Sequence, residues 1–312
     1  MEIKNVTVAG GGVLGSQIAY QSAYKGFDVT VWVRSEASIE RAKPKFERLL
    51  GIYLNTLEAM KTDARAYCRG LAASPDISVE EIDLLKKRAE EAFASITFTT
   101  SFEEAAGDAD LVIEAIAEDP AQKIDFYGKL AEVMPDKTIL VTNSSTLLPS
   151  MFAEATGRPA QYLALHFANE IWRNNTAEVM GHADTDAQAY NEVVEFAEAI
   201  GMIPLKLRKE QPGYILNSLL VPFLNSAQAL LANDVADPET IDKTWMLATG
   251  APLGPFRILD IVGLTTAYNI VSMNPQAADL DTTPGKIAAT LKRYIDEGKT
   301  GVNAGEGFYS YK

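Results

Sequence analysis

The sequence has little of what would place a chain outside the ordinary globular class of a reducing compartment. It has one cysteine, Cys68, so no internal disulfide framework is available. We read Cys68 as a passive, partly buried thiol. No His or Cys partner lies near it, and no metal-ligand spacing occurs, so a metal centre is not expected. No apolar run approaches the ~18 residues of a membrane span. The first strand-like segment starts within a few residues of Met1, where a signal peptide would lie, so we expect a cytoplasmic protein with no membrane partner. Basic residues are outnumbered 28 to 42, for a net charge of −14. That argues against nucleic acid or an anionic membrane as a main partner. It leaves room for a small anionic ligand, which a helix N-terminus and a few local cations can hold. Histidine is nearly absent as well, with only His166 and His182. We find no internal repeat and no low-complexity segment.

What is present first is a glycine turn. Residues 3–9 form a β-branched run (Ile3, Val6, Val8) that ends in Gly10-x-Gly12-x-x-Gly15, and an apolar helical pattern follows through Ile18, Ala19 and Ala23. Each glycine has a physical task. Gly10 allows the sharp turn, Gly12 lets a pyrophosphate approach the backbone, and Gly15 lets the helix pack close on the strand. With Val13 and Leu14 they would cradle a dinucleotide at the helix N-terminus. A second strand over 28–33 stands where a βαβ unit needs it. In an NAD site that strand ends in an acid for the ribose hydroxyls. Here it ends Val33-Arg34-Ser35, a cation and a hydroxyl suited to a 2′-phosphate. We therefore expect NADP, with NAD the alternative should Glu36 reach the ribose instead.

The 312 residues suggest two domains, and the pattern divides them near 209. Residues 1–209 read as a Rossmann-type, doubly wound α/β sheet with a helical insertion over 36–94. That insertion is either simple packing or a flap over a substrate. Strands are expected at 96–99, 110–117, 138–142, 162–165 and 203–207, with helices at 102–106, 121–133 and 192–200. Ligands of such sheets bind at the carboxyl ends of strands, where Arg34/Ser35, Glu118, Asn143/Ser145 and His166 fall. Residues 210–312 read as an all-α domain whose helices are apolar enough to suggest a homodimer interface as well as a core.

A nicotinamide site needs a base for the proton of an alcohol, and neutral imidazole suits that role. His166 ends an apolar strand, and Glu178 is far enough along for the chain to turn back and orient it. On the residues alone His166 can equally be a strand-end hydrogen-bonder. His182, in Gly-His-Ala-Asp-Thr-Asp, reads as solvent-facing.

Four ordered segments, Gly10-x-Gly12-x-x-Gly15, Thr142-Asn143-Ser144-Ser145, His166-Phe167-Ala168-Asn169 with Glu178, and Gln211-Pro212-Gly213-Tyr214-Ile215-Leu216-Asn217, resemble the L-3-hydroxyacyl-CoA dehydrogenase family. The segments 254–264 and 305–309 agree. By position, the resemblance implies that His166 is the catalytic base, Glu178 its orienting carboxylate, and Ser145 a hydrogen-bonder to the substrate oxygen. It implies that Asn217 also lines the site, that Glu118 and Lys123 lie near the nicotinamide half of the cofactor, and that Asn143 is the strand-end Asn of the Ser/Asn cluster. The implied reaction is hydride transfer at C3 of a short-chain substrate such as 3-hydroxybutyryl-CoA. Three departures stand out. The stretch after Asn169 is Glu170-Ile171-Trp172-Arg173, the acid at strand 2 is absent, and the CoA-side candidates Lys43, Lys45 and Arg48 are interleaved with acids. The first and third leave open a free 3-hydroxy acid, gulonate- or carnitine-like, with Arg173 on its carboxylate. A non-catalytic nucleotide-binding relative is the remaining alternative.

Overall fold

A computed structural model of the chain describes residues 3–311. The elements of the first part run β1 (Asn5–Ala9), α1 (Val13–Tyr24), β2 (Asp28–Trp32), α2 (Glu36–Met60), α3 (Val79–Ser95), β3 (Thr97–Thr99) and α4 (Phe102–Ala106). They continue β4 (Leu111–Glu114), α5 (Pro120–Ala131), β5 (Ile139–Thr142), β6 (Tyr162–Phe167), β7 (Thr176–Met180), α6 (Ala187–Ala199) and β8 (Ile203–Lys206). The strands form one sheet in the order β3-β2-β1-β4-β5-β6-β7-β8. The first six are parallel, in the arrangement that binds dinucleotides at the β1/β4 switch point. β7 is antiparallel to β6 and parallel to β8.

The apolar runs of β4, β5 and β6 are buried at every position, as expected for strands covered on both faces. Each expected strand is present, most of them shorter than the sequence pattern. The one extended is β6, so His166 lies within the strand and not just beyond it. The helix expected at 192–200 begins at Ala187, because Asp186 accepts from the Gln188 and Ala189 amides and caps it there. β7 was not anticipated.

The insertion is a helical hairpin of α2 and α3. The Ser78/Glu81 capping box starts α3. Ile39, Phe46, Leu49, Tyr53 and Leu57 of α2 are buried in the core with Tyr20 and Tyr24 of α1. The Tyr53 hydroxyl donates to Gln21 Oε1 at 2.5 Å, and Gln21 Nε2 donates to the Gly70 and Ile200 carbonyls. This is the packing role expected as one alternative. The first turns of α2 also border a cavity at the glycine turn.

The chain separates into two compact units, Met1–Ile215 and Leu216–Lys312. Tyr214 and Ile215 stay with the first because their own groups are bonded to it, as described below. The second unit contains α7 (Leu216–Ala232), α8 (Pro238–Thr249), α9 (Pro255–Val262), α10 (Leu264–Ser272) and α11 (Thr283–Asp296). Phe256, Leu259, Leu264 and Leu291 centre its core. Two buried carboxylates organise it. Asp242 accepts from the Phe256 and Arg257 amides, and Asp260 accepts from the Phe308 and Tyr309 amides and the Tyr311 hydroxyl. Among the described residues, no helix is long and apolar enough to cross a membrane.

Candidate active site

The glycine turn has the shape its sequence predicts. Gly10 takes φ +125°, and a Cβ there would strike the Ala115 carbonyl. A Cβ on Gly15 would strike the Gly10 carbonyl, while one on Gly12 would meet nothing within 4 Å. Gly10 and Gly15 are therefore required by close packing, and the open side of Gly12 is the face a pyrophosphate would approach. Gly12 caps α1 with no side chain over the first turn, so the positive end of the helix dipole is left for an anion. Val13 is 64% exposed at that turn, an apolar side chain held against solvent beside the cradle. These residues fit a dinucleotide.

A cavity of about 560 Å³ opens beside the turn, between Gly10–Gly12, the residues after β2, the start of α2 and α5. Trp32, Phe102 and Phe126 pack on one another in its wall, with ring centroids 4.6–5.7 Å apart. Arg34 lines the cavity. Ser35 does not: it caps α2 and its hydroxyl lies 2.9 Å from that of Ser38, which does line it. Lys45, read from sequence as a CoA-side candidate, also lines this cavity, and its ammonium donates to the Gly11 carbonyl at 2.9 Å. Arg41, which the sequence reading missed, sits between them on the same wall. The spacing of 38, 41 and 45 on one helix face is the signal that would have found it.

The pair of His166 and Glu178 is built by β6 and β7. Their antiparallel register sets His166 opposite Glu178, so the two side chains share a face. His166 Nδ1 lies 3.0 Å from Glu178 Oε2, and both side chains are buried. A carboxylate only accepts, so the pairing puts a proton on Nδ1 and leaves Nε2 as the acceptor. Nε2 lies 3.1 Å from Ser145 Oγ. The other carboxylate oxygen, Oε1, accepts from the Ile215 amide at 2.8 Å. Tyr214 stacks on the imidazole at 4.3 Å with the rings 11° from parallel. Its hydroxyl donates to the Ser144 carbonyl at 2.7 Å, and burial pushes its phenol well above the usual range, so it stays neutral. Tyr214 holds φ +53°, a left-handed conformation sparsely used by bulky residues.

Asn143, Glu118 and Lys123, all of the first unit, are bonded to the elements that border these two places. Asn143 Oδ1 accepts from the Phe167 amide at 3.1 Å and so ties the end of β5 to the residue after His166. Glu118 accepts from the Ser144 hydroxyl and from the amide and hydroxyl of Thr146, linking the loops after β4 and β5. Burial raises its pKa, but those bonds and the Lys123 charge outweigh burial and hold it below the usual range. Lys123 is itself 1% exposed. Its ammonium donates to both oxygens of the fully buried Glu114 at 2.7 Å and lies 3.5 Å from Glu118. Glu114 further accepts from Tyr127, Thr142 and the Ile116 amide. The sequence reading passed over Glu114, although a lone acid inside Leu-Val-Ile-Glu-Ala-Ile-Ala had to find partners. His182 is not solvent-facing: its side chain is 2% exposed, and Nε2 donates to the Pro159 carbonyl at 3.0 Å. Arg173 is exposed, while Ile171 and Trp172 beside it are buried. Asn217 is the second residue of α7, in the second unit. No group of His, Cys, Asp and Glu side chains that could hold a metal occurs among the described residues.

Comparison with known proteins gives the family. The 3-hydroxyacyl-CoA dehydrogenase NAD binding domain matches residues 5–211, and the C-terminal domain of the same family matches residues 213–311. A probable 3-hydroxybutyryl-CoA dehydrogenase of Deinococcus radiodurans is 31% identical over 97% of this chain and 99% of its own. The mitochondrial hydroxyacyl-coenzyme A dehydrogenase of Homo sapiens is 31% identical over 99% of this chain and 92% of its own. The solved structure of a diketoreductase, described for substrate-directed dual catalysis of dicarbonyl compounds, is 50% identical with a TM-score of 0.86, covering all of both chains. With both domain matches in sequence order over nearly its whole length, the chain belongs to the 3-hydroxyacyl-CoA dehydrogenase family.

Proposed function

We propose that the chain transfers hydride between a nicotinamide cofactor and C3 of a short-chain 3-hydroxyacyl-CoA, with His166 as the base. The line Ser145–His166–Glu178 carries this reading, with contacts of 3.1 and 3.0 Å. A bound nicotinamide supplies or accepts the hydride. The protein handles the proton. In the oxidative direction His166 Nε2 takes it from the substrate hydroxyl, and Glu178 stabilises the imidazolium that results. Ser145 Oγ, beside Nε2, donates to the substrate oxygen. Asn143 and Tyr214 hold the frame in which these groups meet. Glu118 borders the nicotinamide side, and Lys123 acts on it from beneath, as a positioning residue. A non-catalytic relative would have no need to keep Ser145, His166 and Glu178 in this alignment.

The cofactor reading is NADP, supported by Arg34 at the cavity and by the apolar Val33, 3% exposed, where an acid would mark an NAD site. A second substrate reading, a dicarbonyl or hydroxy acid without CoA, is favoured by the 50% identity to the diketoreductase. We also place the protein in the cytoplasm, consistent with its buried free thiol Cys68, and expect a homodimer through the helical unit. There Leu219, Leu247 and Met273 are 70%, 77% and 78% exposed.

Initial rates with NADPH and NADH against acetoacetyl-CoA and a panel of free dicarbonyl acids test these readings together. Turnover of the CoA ester supports the first substrate, and turnover of free dicarbonyls alone supports the second. His166→Ala should remove most of kcat while leaving nucleotide affinity nearly unchanged. A variant with full activity would overturn the mechanism.

A further inference from the structure

The chain carries a net charge of −14, yet the wall of the cavity beside the glycine turn is cationic. Arg34, Arg41, Lys45 and Lys129 line it against a single carboxylate, Asp125. Asp125 is already paired with Lys129 at 2.7 Å. The other three cations come from one place, the residue after Val33 and the first three turns of α2. Arg41 donates from Nη2 to Ser38 Oγ at 2.6 Å. Lys45 donates to the Gly11 and Arg41 carbonyls at 2.9 and 3.1 Å, which ties its ammonium to the turn itself. No acid faces this group from the end of β2. Glu36 instead accepts from the Thr100 hydroxyl at 3.4 Å, next to β3.

We propose that Ser38, Arg41 and Lys45 of α2, with Arg34, form a seat for the phosphate ester of an adenosine ribose, the 2′-phosphate of NADP. The inference rests on the nucleotide-binding reading of the glycine turn and extends it to residues that neither the motif nor the family match assigns. The chemistry is complementary on both sides. A ribose diol wants a free carboxylate, and the one carboxylate lining this cavity, Asp125, is paired with Lys129; a phosphate dianion wants charged donors in a fork, which two guanidiniums supply. The ammonium on the Gly11 carbonyl holds positive charge within the cavity that the glycines line. Coenzyme A also carries a phosphorylated adenosine ribose, with the ester at the 3′ position. The shared cavity with Gly10–Gly12 favours the dinucleotide as the occupant.

Isothermal titration of the full chain with adenosine 2′,5′-bisphosphate, adenosine 3′,5′-bisphosphate and 5′-AMP tests the seat without chemistry. We expect the 2′,5′ compound to bind at least about tenfold tighter than 5′-AMP, a gain typical of one or more charge-assisted bonds. Arg41→Ala and Lys45→Met should each lose about that factor for the 2′,5′ compound and leave 5′-AMP unchanged. Arg41 is exposed, so its variant keeps the fold. Equal affinity for 5′-AMP and the 2′,5′ compound overturns the seat, and so does tightest binding of the 3′,5′ compound, which would assign these cations to coenzyme A. A loss shared equally by all three ligands overturns it too. No binding of any adenosine ligand would instead remove the nucleotide reading beneath it. No 2′ preference in the parent chain, together with NADH turnover, removes the seat alone and leaves the nucleotide reading standing.

Discussion

Replacing Glu178 with Gln changes one atom and, on this geometry, disables the base. Both carboxylate oxygens have work to do: Oε2 faces His166 Nδ1 at 3.0 Å, and Oε1 accepts from the Ile215 amide at 2.8 Å. A glutamine has one oxygen to offer. If it stays on the Ile215 amide, the amide nitrogen faces Nδ1 and can only donate. The imidazole must then move its proton to Nε2, the atom that should receive one from the substrate. In a serine-protease triad the equivalent tautomer error costs about 10⁴ in kcat, or about 5.5 kcal/mol at 1.36 per tenfold. The glutamine can flip, but then an NH₂ meets the Ile215 amide. Leaving that donor unmet costs about 1–3 kcal/mol, so the competent rotamer is a minority, and it still lacks the charge that steadies imidazolium. The expected loss in kcat is therefore about 10²–10⁴. It is read from initial rates at saturating cofactor and substrate, beside the nucleotide Kd and the urea midpoint. A kcat within tenfold of the parent, at unchanged midpoint, would refute the assignment of Glu178.

Two further substitutions probe the buried charges. Lys123→Met leaves Glu114 fully buried without its cation, and removing one partner of such a pair costs about 3–5 kcal/mol. Adding Glu114→Gln should recover most of that in urea unfolding at constant m, whereas a double variant no more stable than Lys123→Met would contradict the pairing. Lys25→Met should act in the opposite direction. Burial, helped by Arg88, lowers the Lys25 pKa to about 8 from 10.5. The unfolded chain then holds the extra proton between those values, so stability rises with pH from about 8 to 10.5. Below pH 8 the partly buried charge is a constant liability of at most about 3.4 kcal/mol, from about 2.5 pH units at 1.36 each. With half of that discounted for solvent screening, the variant should gain about 1–2 kcal/mol at pH 7 and lose the alkaline rise. A less stable variant at pH 7 would refute the penalty.

The two halves of the site differ in how legible they were, and the difference is physical. The cradle could be read because it is specified by side chains that must be missing: a Cβ at Gly10 or Gly15 collides with backbone, and a missing atom is visible in a sequence. The sheet before it could be read because buried parallel strands are continuous apolar runs. Glu114 was hidden by the same rule, since it stands inside such a run and its partners Lys123, Tyr127 and Thr142 come from other elements. β7 was hidden because Thr-Ala-Glu-Val-Met is short and buried at nearly every position, so it has no alternation to announce it.

That unannounced strand is what sets Glu178 against His166. A parallel neighbour of β6 would have to return through a crossover of a dozen or more residues, and its register would be set by packing elsewhere. The reversal after Phe167 returns within eight residues, from Ala168 to Asn175. It is pinned on the way. The Glu170 amide donates to Gln17 Oε1, Trp172 is buried on Tyr53, and the Trp172 carbonyl receives the Gly70 amide. Because side chains alternate along a strand, a slip of one residue would turn Glu178 to the opposite face and bring Ala177 or Val179 toward His166. The departure after Asn169 therefore reads first as the device that fixes this register: Ile171 and Trp172 are committed to the core. Within it, Glu170 makes the turn at φ +59°, its carbonyl accepting the Arg173 and Asn174 amides, while the Arg173 side chain stays exposed.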